Sequence, residues 1–168
     1  MTNEELLKEI KIRFQTIEEL PVPTGQVRGP ELHLKVSAND IHAVCDHLKK
    51  TPSMAFDFPL FLTAVDWIKE NRFELVYYLF STSHKHTIVL KVTLGRENPA
   101  ISSVTDLWLG MDWQEREVYD LFGIRFNNHP NHKRILMWEG FPGWPMRKDY
   151  VHVRDKYDSG LEIGLPQT

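Results

Sequence analysis

Glu115, Glu117 and Asp120, followed by His129 and His132, are the side chains whose types and spacing could support acid–base or metal chemistry. A carboxylate pair acting on one substrate needs both groups aimed at the same reacting atom. Glu115 and Glu117 are two apart on a helical pattern and point in different directions, which argues against such a pair. Arg116 and Asp120 are four apart, so they are expected to share a helix face, with Gly123 as the C-cap. A structural zinc site takes four ligands at short paired spacings. His129-Pro130-Asn131-His132 offers two, with no cysteine or second histidine pair nearby. His84-Lys85-His86 falls in an expected hairpin turn and is read as solvated. Cys45 is the single cysteine, so this chain alone cannot supply the four thiolates of a common iron–sulfur cluster. No phosphate-cradling glycine loop, nucleophile elbow or His-Glu-x-x-His run is present.

The elements that must position these residues are legible from periodicity. Thr2-x-x-Glu5 reads as a capping box, and Leu6, Ile10, Phe14 and Ile17 follow at helical spacing until Pro21, Pro23 and Gly25. Gln26 to Arg28 is a possible strand, and Glu31 to Val36 alternates strictly, as a half-buried strand does. Ile41, Val44, Cys45 and Leu48 mark one face of a second helix that Pro52 stops. Three strands are expected at Pro59 to Ile68, Phe73 to Ser81 and Thr87 to Leu94, joined at hairpin lengths. Ser103-x-x-Asp106 suggests the cap of a third helix carrying Leu107, Met111, Val118, Leu121 and Phe122. The order α-β-β-α-β-β-β-α predicts an α+β fold, a mixed sheet flanked by helices, over 1–124. Beyond it, 125–168 is expected to be an extended irregular segment. It holds Trp138, Phe141 and Trp144 among Pro130, Pro142 and Pro145, too aromatic for a solvated tail. It must lie along a surface, its own or a partner's.

Composition narrows the class. The 168 residues suffice for one compact domain plus an appendage. The net charge of -3 gives no electrostatic reason to expect nucleic acid or an anionic lipid surface. No apolar run reaches bilayer length. The acidic start Met1 to Glu5 is unlike a secretory or transit peptide, so the chain is expected to stay where it is made and to meet a membrane only through a partner.

Four blocks then stand in order across 115–149. They are Glu115-Arg116-Glu117-x-x-Asp120-x-Phe122-Gly123-Ile124, His129-Pro130, Arg134-Ile135-Leu136, and Gly143-x-Pro145-x-Arg147-Lys148-Asp149. Together they resemble the signature of the C-type subunit, the 30 kDa subunit family, of respiratory complex I, an NADH–quinone oxidoreductase. Trp144 stands where bacterial members often carry His. The resemblance implies a cofactor-free structural subunit of the peripheral arm, with no catalytic centre of its own. It implies that NADH, FMN, iron–sulfur clusters and quinone are handled by other subunits of a proton-translocating complex. It also implies packing against the D-type subunit, which helps form the quinone site, near neighbours such as the B-type and I-type subunits. The place implied is peripheral, at the cytoplasmic face of the cell inner membrane. Arg116, Asp120, Arg134, Arg147, Lys148 and Asp149 are then expected to hold interface or fold-defining ion pairs. The alternative reading is the equivalent subunit of a membrane-bound hydrogenase or of a complex using ferredoxin or another donor.

Overall fold

The computed structural model describes residues 2–22 and 31–152. The possible strand at Gln26 to Arg28 and the last part of the C-terminal segment, 153–168, lie outside the described residues. Helix α1 (Asn3–Arg13) opens on the expected capping box: Thr2 Oγ1 accepts the Glu5 N–H (3.2 Å), and Glu5 Oε2 accepts the Thr2 N–H (2.8 Å). Leu6 and Ile10 are buried. The helix ends earlier than its apolar spacing suggests. Phe14 leaves helical geometry (φ −123°, ψ 84°), and the chain enters a short strand, β1 (Glu18–Leu20). β1 runs antiparallel to β2 (Glu31–Val36), and a Glu18–Lys35 ion pair (3.0 Å) spans the two. The first strand therefore lies where the helical pattern is expected to end.

Helix α2 (Ile41–Lys50) buries Ile41, Val44, Cys45 and Leu48, the four positions its periodicity selects. Asp40 stands at its N-cap without a side-chain capping bond. Strands β3 (Phe58–Trp67), β4 (Arg72–Phe80) and β5 (Thr87–Gly95) follow, with a 3-10 turn at Ile68–Glu70 and Asn71 in the left-handed region. The sheet order is β1-β2-β5-β4-β3; β2 and β5 are parallel and every other pair is antiparallel. A mixed sheet results, as expected. Alternate positions of β2, β3, β4 and β5 face one core: Leu32, Leu34 and Val36; Leu62 and Ala64; Phe73, Leu75, Tyr77 and Leu79; Ile88, Leu90 and Val92. The next inward position on β3 is a carboxylate, Asp66, which is 3% exposed.

Helix α3 (Met111–Phe122) begins later than the Ser103-x-x-Asp106 pattern suggests. Residues 103–110 form turns instead: the Val104 N–H is accepted by the Glu115 side chain (2.8 Å), and the Leu107 N–H closes on Val104 O (3.1 Å). Gly123, in the left-handed conformation (φ 73°), caps the helix as expected, its N–H reaching Tyr119 O at 2.8 Å. Two further strands escape the sequence pattern: β6 (Ala100–Ser102) pairs in parallel with β7 (Arg125–Asn127). This small sheet bridges the division expected at 124/125.

Candidate functional site

The signature residues converge at the C-terminal half of α3, and Asp120 is their anchor. Its side chain is fully buried. Oδ2 accepts three consecutive backbone N–H groups, from Ile135 (2.9 Å), Leu136 (2.7 Å) and Met137 (2.8 Å). Oδ1 accepts Arg134 Nη1 at 2.8 Å. Burial pushes the carboxyl pKa up, but these donors outweigh it and hold Asp120 below the usual carboxylate range. Arg134 is spent in the same place. Nη1 also reaches Asp120 O, Nη2 donates to Phe141 O (3.2 Å) and Gly143 O (2.9 Å), and the guanidinium lies 4.4 Å from the Trp144 ring centroid. The shared helix face expected for Arg116 and Asp120 carries no ion pair between them. Arg116 turns back to Asp112 (3.6 Å) and donates to Lys133 O and Arg134 O. Asp120 is already saturated by the chain fourteen to seventeen residues ahead.

From there, residues 133–150 run over the chain's own α3 and sheet as a strap. Trp144 fills the space above Gly123: a Cβ built on Gly123 would stand 2.5 Å from the indole. Arg147 Nε donates to Phe122 O (2.6 Å), Met146 N–H to Leu121 O (3.1 Å), and the Lys148 N–H to Asp66 Oδ2 (2.9 Å). Asp149 pairs with Arg96 (2.6 Å), which also reaches Asp66 (3.1 Å). Asp66 and Arg96 belong to this site, yet no motif includes them. The one available signal is a carboxylate at an inward register position of β3, which cannot be buried without a cation. Gly123→Ala meets both a left-handed backbone and the Trp144 indole. It should cost about 2 kcal/mol or more, read as a fall in Tm with loss of Trp144 fluorescence anisotropy.

The remaining candidates divide. Glu115 is buried, with Oε1 on the Val104 N–H and Oε2 4.0 Å from His129 Nε2. Glu117 is exposed, so the two carboxylates do not meet. His129 Nδ1 accepts the Asn131 N–H (3.0 Å), which leaves Nε2 to donate to Asp112 O (3.2 Å). His132 Nε2 accepts the Phe126 N–H (3.1 Å), and burial, then His129 and Arg125, push its pKa down. Both imidazoles spend a lone pair on backbone N–H groups. Among the described residues, no group of three or more His, Cys, Asp or Glu is placed to hold a metal ion. Pro130 is exposed beside them; Ile135 and Pro145 are half-buried, and Leu136 points outward.

A profile of the family described as "Respiratory-chain NADH dehydrogenase, 30 Kd subunit" matches residues 34–156, which include every residue of this site. The chain belongs to that family. Similar members include the second C-type subunit of the NADH-quinone oxidoreductase of Rhizobium meliloti (strain 1021), 44% identical over 136 residues, covering 79% of this chain and 74% of the relative. Its counterpart in Rhizobium etli (strain CIAT 652) is 41% identical over 156 residues, covering 91% and 80%. Among solved structures, a trypsin-resistant fragment of Nqo5 superposes with a TM-score of 0.63 at 28% identity, covering 78% of this chain and 99% of the fragment. A component of the membrane-bound sulfane sulfur reductase, an archaeal respiratory membrane complex, superposes with a TM-score of 0.74 at 25% identity, covering 98% and 94%. Membership of the 30 kDa subunit family makes the protein one component of a multi-subunit respiratory complex. Among the described residues, no helix is long and apolar enough to cross a membrane.

Proposed function

We propose that the chain is a non-redox structural subunit of the peripheral arm of a proton-translocating NADH–quinone oxidoreductase, and that it supports the quinone-site, D-type subunit. The observation that carries this reading is the contrast between the strap's two sides. Its inner side is tied down by Asp120, Arg134 and Asp66. Its outer side shows Leu136 (58% exposed), Met146 (55%) and Val151 (78%) to solvent. Leu109 (89%) and Trp113 (66%), just before and within the first turn of α3, are exposed too. Exposed apolar residues on a backbone already tied down by its own hydrogen bonds are what a permanent partner covers. In this reading the chain binds no flavin, cluster or quinone. It stays at the cytoplasmic face of the membrane through the quinone-site subunit and neighbours of the B and I types.

A second reading changes the machine and keeps the subunit. The likeness to the sulfane sulfur reductase component over nearly its whole length favours a role in a related membrane-bound complex with another donor or acceptor. A tagged chain pulled from native membranes in mild detergent separates the two. Recovery with the quinone-site subunit and flavin- and cluster-bearing partners supports the first reading. Recovery with a nickel-binding large subunit or a sulfur-reducing module supports the second, and recovery alone overturns both. The double variant Leu136→Glu, Met146→Glu leaves every strap hydrogen bond in place, since Leu136 and Met146 contribute backbone groups there. It should lower recovery of the quinone-site subunit at least about ten-fold, with Tm unchanged.

A further inference from the structure

Arg96 holds the far end of the strap in an arrangement that is only half satisfied. Its Nη2 serves two carboxylates at once, Asp66 Oδ2 at 3.1 Å and Asp149 Oδ1 at 2.6 Å. Among the described residues its Nε is buried with no partner, and so is Asp66 Oδ1 on the facing carboxylate. A guanidinium edge presents Nε–H and Nη2–H as a fork that matches the two oxygens of one carboxylate. The two orphaned atoms are therefore the two halves of a side-on Arg96–Asp66 pair that is left incomplete while Asp149 draws Nη2 toward itself.

The closed strap carries a second tension. Arg147 and Arg96 lie over the same ring, 5.1 and 5.4 Å from the Phe73 centroid. Burial first, and the Arg96 charge next, push the Arg147 pKa below its ordinary value. Asp66 and Asp149 are the carboxylates that oppose this repulsion. The groups facing the cluster are thus two cations and two carboxylates, and only Asp149, on the strap itself, is substantially exposed, its side chain at 51%.

We propose that Arg96 is a two-position latch. Bridging Asp66 and Asp149 it closes the strap; paired side-on with Asp66 alone it stays satisfied while residues 147–151 lift away. Opening gives up the exposed Arg96–Asp149 pair and the strap's bonds to Asp66 Oδ2 and Phe122 O, while Arg96 Nε and Asp66 Oδ1 gain each other as partners, so the charge pair on the sheet beneath stays intact. The anchor at Asp120 has no such alternative, since all its donors come from the strap, and it stays shut. On the reading that this face meets a partner, the latch lets the chain beyond Tyr150 be redirected onto that partner.

The test needs only the purified full-length chain and amide hydrogen exchange. The Arg147, Lys148 and Tyr150 amides are bonded to Trp144 O, Asp66 Oδ2 and Arg147 O, and report the latch. The Ile135 to Met137 amides, on Asp120, report the anchor. Asp149→Asn should speed exchange at the first set about ten-fold, leaving the second set and Tm unchanged. Asp66→Asn, which removes the buried counter-charge of Arg96 in both positions and leaves it only the exposed Asp149 when closed, should lower Tm as well. Unchanged exchange in Asp149→Asn overturns the proposal, because Asp149 then closes nothing. A fall in Tm equal to that of Asp66→Asn also overturns it, because the side-on pair then fails to form. Neither outcome bears on partner recovery from membranes, which tests the proposed function separately.

Discussion

Asp120→Ala should destabilise the chain by about 3–5 kcal/mol and detach the strap along 134–143. Removing the carboxylate leaves the Arg134 guanidinium without its counter-charge and takes away the acceptor of three adjacent N–H groups. Urea denaturation at pH 7 measures the loss, and a fall of roughly 10 °C in Tm should accompany it. Arg134→Ala removes the same ion pair together with the bonds to Asp120 O, Phe141 O and Gly143 O, but spares the three amide bonds on Asp120. The Ile135 to Met137 amides should therefore stay protected from hydrogen exchange in Arg134→Ala and lose protection in Asp120→Ala; loss in both would mean that the ion pair holds them. The acid limb offers an independent check. The Asp120 carboxyl titrates below its ordinary 3.8 in the folded chain. Its contribution is therefore present above about pH 4 and is lost as pH falls through the lower folded value. Asp120→Asn, uncharged throughout, should lack that part of the acid-induced loss.

The elements with several turns or strand residues are legible because burial imposes a period on them. Helix α2 and strands β3, β4 and β5 lie within a residue or two of the positions their apolar spacing selects. The elements that escape are short or pre-empted. β1, β6 and β7 have three residues each, too few for alternation to register. The apparent cap at Ser103 serves turns rather than a helix: Ser103 Oγ accepts the Thr105 N–H (3.1 Å), and Glu115, eleven residues away, accepts the Val104 N–H. The site shows the same division. Gly123 is readable as a C-cap, but its second role, leaving room for Trp144, depends on a residue twenty-one positions on. Asp120 and Arg134 are picked out by resemblance, while their pairing is a tertiary contact that no local spacing encodes. Within the described residues Arg147 makes no ion pair of its own; it donates to the Phe122 carbonyl and lies against Phe73, contacts that local spacing does not encode.

Glu115→Gln should stabilise the chain at alkaline pH, the opposite sign to Asp120→Ala although both carboxylates are buried on the same helix. The difference is in their donors. Asp120 has four, whereas Glu115 has the Val104 N–H and the Ser103 hydroxyl and, among the described residues, nothing bonded to Oε2. Burial therefore dominates, those two bonds offset it only in part, and the Asp106 and Asp112 charges add to it, so the carboxyl is pushed up to about 7. An acid whose folded pKa lies above its ordinary 4.5 contributes stability that is complete below that value and is lost as pH rises through about 7. The gap corresponds to roughly 3 kcal/mol once the carboxylate is fully ionised. Glutamine keeps an acceptor for Val104 and carries no charge to bury. Denaturant midpoints for the two proteins should then agree near pH 4.5 and diverge through about pH 8, with the variant the more stable by up to about 3 kcal/mol. Parallel profiles would show that Glu115 is ionised in the folded state at no cost, which requires a donor on Oε2. His129 Nε2, at 4.0 Å, is the group in position to move onto it, and breaking its bond to Asp112 O would be the signature.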